Sequence, residues 1–274
     1  MNRRIVVVIV IAAVLLIIGV VALILGLKKN NVTPAIRQDS SVSLAALLAQ
    51  AKDLESKGNL AQAKGVYQKL VSDFPNLSNV MEWQKKTEEL NMKLLFSSAS
   101  GPNSVMYEVK AGDSLAKIAK EFKTTVELIQ KINRLPDDKI VPGKKLKVWN
   151  APFGIFVDKS QNILLLKVNE EVFKTYVVST GKNGSTPVGV FKITNKLTNP
   201  TWFKAGGVVP ADSAENILGT RWLGFNLPGY GIHGTNDPQG LGQQATQGCI
   251  RMSNTEVEEI YTIISVGTEV TIVD

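Results

Sequence analysis

Three patterns of hydrophobic and polar positions follow one another along the chain. Ile5 to Leu27 is an apolar run without a charge, bracketed by Arg3 and Arg4 on one side and Lys28 and Lys29 on the other. That length predicts a single helix able to span a bilayer core. Residues 30–43 are polar and read as a spacer. From Leu44 the apolar positions recur at three and four spacings through Leu47, Leu48, Ala51 and Leu54; they resume after Gly58-Asn59 at Ala61, Ala63, Val66, Tyr67, Leu70 and Phe74. This predicts two helices joined by a tight turn, covered by a third over about Val80 to Phe96. Residues 97–106 form a second linker.

Between Tyr107 and Val148 the pattern predicts strand, helix, helix, strand: Tyr107 to Val109, Ser114 to Phe122, Val126 to Ile132, and Lys145 to Val148. After Asn150-Ala151-Pro152 the period becomes two and β-branched residues accumulate. Strands are predicted at Phe153–Val157, Ile163–Val168, Val172–Val178, Val190–Thr194, Trp222–Phe225, Gly231–Ile232 and Glu269–Val273. One late helix is marked by the capping box Ser253-Asn254-Thr255-Glu256 and the stripe Val257, Ile260, Tyr261 and Ile264. The expected architecture is therefore multidomain: a transmembrane anchor (1–29), a linker (30–43), an α-helical hairpin (44–96), a linker (97–106), a small βααβ module (107–149) and a mainly β, sandwich-like domain with one late helix (151–274).

Charge refines this only slightly. The formal net charge of +7 divides into +5 for residues 1–106, +4 for 107–149 and −2 for 150–274. No segment concentrates basic residues with interleaved aromatics, so nucleic acid is not an expected partner. With two basic residues on each flank of the apolar run, charge does not decide its orientation. No small-residue cleavage site follows the run, which favours an uncleaved anchor.

The helical hairpin resembles one tetratricopeptide repeat from Leu44 to Leu77, with Ala51, Gly58, Ala63, Tyr67 and Pro75 at that pattern's small, turn, aromatic and terminating positions. A single repeat builds no concave array, so a spacer is expected there, and a protein partner of the helices is left open. "YEVKAGDSLAKIAKEF", "TTVELIQKINRL" and "IVPGKKLKV" are similar to a LysM module over its whole length. The resemblance implies binding of N-acetylglucosamine-containing glycan chains in a shallow groove between two loops, here Gly112, Asp113, Ser114 and Leu115, and Asn133, Arg134 and Leu135. Asp113, Ser114 and Asn133 also suit helix ends, and both roles can hold together.

The chain has one histidine, His233, and one cysteine, Cys249. A lone cysteine excludes an intrachain disulfide, and so few ligands suggest no dedicated zinc site; no cofactor is expected. A thiol is nucleophilic as its thiolate, and an imidazole can take the proton and stabilise the resulting charge. Gly248 permits close backbone approach, and the N–H groups at Gly248 and Cys249 are candidates for an oxyanion site. Arg251, two residues on, is expected on one strand face with Cys249, where it would favour the thiolate or grip a substrate carboxylate.

Thr246-Gln247-Gly248-Cys249-Ile250-Arg251, with His233 upstream, resembles the signature of the L,D-transpeptidases of the YkuD type. "STPVGVFKI", "NPTW", "GTRWLGF" and "YGIHGT" extend the resemblance over about 151–274; Gln247 stands where many members have histidine. The resemblance implies acyl transfer on peptidoglycan stem peptides: Cys249 as nucleophile, His233 as base, the Gly248 and Cys249 N–H groups as oxyanion donors, Arg251 as charge partner and Thr235 as a residue orienting the imidazole. It also implies 3→3 cross-linking of tetrapeptide stems, with carboxypeptidase activity, protein-to-wall attachment and non-enzymatic wall tethering as alternatives. The expected location is single-pass in the inner or cytoplasmic membrane through residues 5–27, with the catalytic domain facing the periplasm or wall and peptidoglycan as partner.

Overall fold

The computed structural model describes residues 35–204 and 206–274. Among these residues no helix is long and apolar enough to cross a membrane. The longest, α1 (Ala35–Ser56), carries Lys52, Asp53 and Glu55 in its last two turns. This corrects the expected fold class, from which the membrane-spanning helix is withdrawn; the segment that suggested it, Ile5 to Leu27, lies outside the described residues.

The helical period is realised as α1, α2 (Leu60–Asp73) and α3 (Val80–Phe96). α1 begins at Ala35, inside the stretch read as a spacer. It stops at a glycine in the left-handed region, Gly58 with φ +74°, where Asn59 N–H donates back to the Leu54 carbonyl at 2.9 Å. That is the usual way a helix closes its last carbonyls. Ala51, Ala63, Tyr67 and Leu70 are buried, and the Tyr67 hydroxyl donates to Glu55 Oε1 at 2.6 Å.

Next comes β1 (Ser104–Glu108), α4 (Leu115–Glu121), α5 (Val126–Asn133) and β2 (Lys145–Trp149). β1 and β2 pair antiparallel. Both helices start on a hydroxyl cap: Ser114 Oγ accepts from Lys117 N–H at 3.3 Å and Thr125 Oγ1 from Leu128 N–H at 2.9 Å. Val109, Leu115, Ile118, Ile129, Leu146 and Val148 form a small core of their own.

The C-terminal segment is mainly β. Its principal strands are β3 (Phe153–Asp158), β4 (Ile163–Val168), β5 (Glu171–Val177), β7 (Gly189–Thr198), β10 (Arg221–Phe225), β11 (Gly231–His233), β13 (Ile250–Arg251) and β14 (Glu269–Val273). They form one hydrogen-bonded sheet ordered β13-β11-β10-β7-β14-β3-β4-β5. The first part of β7 pairs with β14 and the second with β10, so a single strand joins two half-sheets. The helix α6 (Asn254–Ile263) buries Val257, Ile260 and Ile263 in one core with Leu223, Ile232 and Ile250. Two small pairs complete the segment: β6 (Thr180–Gly181) with β12 (Gln244–Thr246), and the hairpin of β8 (Trp202–Lys204) and β9 (Gly207–Val209).

The segments read as separate modules share that larger core. Met92 and Leu95 of α3 and Leu128 and Ile132 of α5 belong to the same buried cluster as the sheet. Trp149, the last residue of β2, stacks on Phe153 at 5.2 Å between ring centroids. Lys147 is buried, and its ammonium donates to the Leu94 and Ser97 carbonyls at 3.0 and 2.8 Å. It thereby caps α3 from a neighbouring module at the helix end where positive charge is favoured; burial lowers its pKa.

α3 also solves the exposed-edge problem of the sheet. β5 is an edge strand, and an uncovered edge is a template for pairing with other chains. Glu88 accepts from the Thr175 N–H at 3.1 Å and the Thr175 hydroxyl at 2.9 Å, while Asn91 Nδ2 donates to the Phe173 carbonyl at 2.9 Å. Helix side chains thus take the place of a further strand. Asn91→Ala leaves that buried carbonyl without its donor and is expected to cost about 1–3 kcal/mol. The check is a lowered urea midpoint at unchanged slope; an unmoved midpoint contradicts the account of the edge.

Candidate active site

His233 is the last residue of β11, a strand buried at all three positions between β10 and β13. Its cross-strand partner on β10 is Trp222, whose ring stacks on the imidazole at 6.0 Å with 19° between planes. The Trp222 indole N–H is held by Asn195 Oδ1 at 3.1 Å. His233 Nδ1 lies 2.7 Å from the Gly234 carbonyl oxygen. A carbonyl only accepts, so Nδ1 carries the proton and Nε2 keeps its lone pair. Burial lowers the imidazole pKa to about 4, the Gly234 hydrogen bond opposing and the Arg251 charge assisting.

Cys249 sits in the turn before β13, which runs parallel to β11 with Ile232 opposite Ile250. Thr246 builds that turn: its Oγ1 accepts from the Gly248 N–H at 3.1 Å and donates to the Cys249 carbonyl at 2.6 Å. This differs from the expectation that Gly248 N–H faces an oxyanion, because Thr246 occupies it. The Cys249 N–H makes no hydrogen bond among the described residues. Gly248 is required on other grounds. Its φ is +131°, and a Cβ there would stand 2.7 Å from the Tyr230 ring. The thiol donates to the Gly229 carbonyl at 3.4 Å. Burial raises its pKa, opposed by a hydrogen bond from the Gly231 backbone. Thiol and imidazole are therefore both neutral at pH 7, not a standing ion pair.

Cys249 and His233 line one cleft of about 850 Å³, in the size range of small-molecule sites. Its walls include Trp202 and Phe203 of β8, Trp222 and Tyr230. Arg251 also lines it but is placed otherwise than expected. The rule that residues two apart share a face holds within a strand, and Cys249 precedes β13. The Arg251 Nη2 donates to the Gly240 carbonyl at 2.8 Å, with Ser179 Oγ at 3.5 Å. The guanidinium therefore ties the loop between β11 and β12 to the sheet. Thr235 is buried, and its Oγ1 donates to the Asp237 carbonyl and accepts from the Asp237 N–H rather than bonding to the imidazole. The sequence signal for the turn before β13 is a hydroxyl, Thr246, two residues ahead of a glycine.

In the LysM-like module the two loops divide by exposure. Leu115 is buried and Leu135 half-buried against the small core. Asn133 has its amide fully engaged, donating to the Ile129 and Lys147 carbonyls and accepting from Lys147 N–H, each at 2.8 Å. Asp113 accepts from Lys110 N–H at 2.7 Å and the Tyr107 hydroxyl at 2.8 Å; these bonds hold its carboxyl below the usual range. Gly112, Ser114 and Arg134 are exposed, although Ser114 Oγ also caps α4.

Comparison with known proteins agrees with these features. The family profile of the L,D-transpeptidase catalytic domain, YkuD, matches residues 152–272, and that of the LysM domain matches 107–149. Neither match extends to residues 44–96, so the tetratricopeptide likeness there is not confirmed. The chain is similar to the putative L,D-transpeptidase YkuD of Bacillus subtilis (strain 168), 34% identical over 173 residues, or 61% of this chain and 97% of that protein. It is also similar to the putative L,D-transpeptidase YqjB of the same organism, 40% identical over 126 residues, or 44% of this chain and 70% of that one. Among solved structures, an L,D-transpeptidase from Mycobacterium tuberculosis H37Rv aligns with a TM-score of 0.38 and 16% identity over 49% of this chain and 63% of that chain. Together, a matching catalytic domain and a relative covered over nearly its whole length place this chain in the YkuD family of L,D-transpeptidases, as a cell-wall-associated, cysteine-dependent peptidoglycan transpeptidase with a LysM domain.

Proposed function

We propose that the chain forms 3→3 cross-links between peptidoglycan stem peptides through a thioester at Cys249. The observation that supports this most is the neutral pair lining one cleft, with the His233 proton held on Nδ1 by Gly234 and Nε2 left as a base. As sulfur bonds to the carbonyl carbon of the third stem residue, the thiol proton passes to Nε2. The developing oxyanion is met by the Cys249 N–H, a donor of this turn without a partner among the described residues. Collapse breaks the C–N bond to the terminal D-alanine, whose nitrogen takes the proton from the imidazolium. The side-chain amine of a second stem then attacks the thioester and releases the thiol. Trp202, Phe203, Trp222 and Tyr230 wall the peptide and exclude water, which favours the amine over hydrolysis. Arg251 acts by fixing the loop that closes this side of the cleft, and Thr235 by holding the turn after the histidine.

LysM is proposed to hold the enzyme on glycan, with Gly112, Ser114 and Arg134 as the accessible part of its two loops. Asp113, Leu115, Asn133 and Leu135 support those loops from beneath. The test is incubation of the purified protein with disaccharide-tetrapeptides and mass analysis of the products. Dimers joined between third residues are expected; tripeptides alone would assign hydrolysis instead, and unchanged substrate would contradict the reaction.

A further inference from the structure

We infer that Asn254 is a positioning residue for His233, acting through the peptide unit between Gly234 and Thr235. Asn254 opens α6, but the capping of that helix does not use its side chain. Ser253 Oγ accepts from the Glu256 N–H at 3.3 Å and donates to the Glu256 carboxylate at 2.7 Å, so the cap of α6 is the Ser253 side chain. The Asn254 carboxamide instead reaches across to two loops. Its Oδ1 accepts from the Thr220 N–H and the Thr235 N–H, each at 3.1 Å, and its Nδ2 donates to the Thr235 carbonyl at 2.9 Å.

The consequence follows from peptide planarity. The Thr235 N–H and the Gly234 C=O belong to one rigid unit and point in opposite directions. Holding the N–H on Asn254 therefore aims the carbonyl at His233 Nδ1, 2.7 Å away. The sequence leaves room for this contact. A Cβ at Gly234 or Gly219 would stand 2.1 or 2.2 Å from Asn254 Oδ1, so both neighbours of the carboxamide are glycine. Without Asn254, two N–H groups and a carbonyl lose their partner and the peptide unit is free to turn. The imidazole then loses what distinguishes its two nitrogens. The ionisable or charged side chains sharing the cleft with it are Cys249, Arg251, Lys204 and Tyr230, and none of them accepts from Nδ1.

This inference rests on His233 as the base of the proposed reaction, but its test reads the imidazole directly. The chain has one histidine, so a nitrogen-15 spectrum of the labelled protein contains one imidazole. At pH 7 the wild type is expected to carry its proton on Nδ1. Asn254→Ala is expected to raise the Nε2–H fraction and lower kcat roughly tenfold to a hundredfold with KM little changed. Asn254→Asp keeps an acceptor for both N–H groups, so it should preserve the Nδ1–H form and most of the turnover. A wild type protonated on Nε2 overturns the inference whether or not the variants fold. So does Asn254→Ala with an unaltered tautomer, or Asn254→Asp with a tautomer as scrambled as that of Asn254→Ala. A wild type with the expected tautomer that leaves stem peptides unchanged counts instead against the reaction.

Discussion

Cys249→Ala is expected to reduce stem-peptide exchange to the uncatalysed background while the protein keeps its melting temperature. No other side chain can take over the nucleophile. The chain has no second cysteine, and Thr246, the hydroxyl nearest in sequence, has both its capacities engaged in the turn. The thiol side chain lies half-buried at the cleft wall, held only by weak bonds to the Gly229 carbonyl and the Gly231 backbone, so the truncation leaves little to repack. Cys249→Ser is the sharper form of the same test. It keeps the shape and the hydrogen bond but offers a far weaker acid, and a neutral imidazole whose pKa is about 4 is a poor base for a hydroxyl. Initial rates of tetrapeptide consumption check both; turnover above background in either variant points away from the thioester.

The second large effect is expected at His233. Replacing it by alanine removes the proton acceptor and the proton donor together, a loss of the order of 10²–10⁴-fold for a general acid–base residue. The pH dependence is as informative as the variant. Because burial lowers the folded pKa to about 4, the imidazole stays unprotonated down to that pH, and the acid limb of kcat/KM should fall near 4 rather than at the ordinary histidine value of about 6.5. The thiol pKa is raised by burial, so the thiol stays protonated at neutral pH and attack depends on transfer to Nε2. An acid limb near 6.5 would mean that the imidazole is far more solvated than its burial between β10 and β13 implies.

Much of this was legible from residues alone, and the parts that were not share a physical cause. The strands announced themselves because alternation and β-branching report a half-buried pleated surface, and the Ser253 to Glu256 box fixed the start of α6. The His233 and Cys249 pair stood out once the glycine and threonine around the thiol were read with it. Burial periodicity, however, says which residues leave water and not what they pack against. Met92, Leu95, Leu128 and Ile132 each fit a stripe within their own module, and only the fold places them in the core beneath the sheet. Hydrogen-bond partners distant in sequence are equally silent. Arg251 is held by Gly240, Lys147 caps α3, and Asn254 reaches Thr220 and Thr235, because loops and strands bring those backbone groups into range. The Gly248 N–H is engaged for a local reason, since a threonine hydroxyl two residues earlier competes for it. The expected membrane helix rested on a run outside the described residues, and the helices that are described carry charges along their length.

The central claim is a covalent acyl group on Cys249, and intact mass measured within the first turnovers with a disaccharide-tetrapeptide tests it most directly. The account predicts an added mass equal to the substrate less its terminal D-alanine and the thiol hydrogen, located on the peptide containing Cys249 and absent from Cys249→Ala. Turnover with no adduct at any time point, or an adduct on another residue, would contradict it.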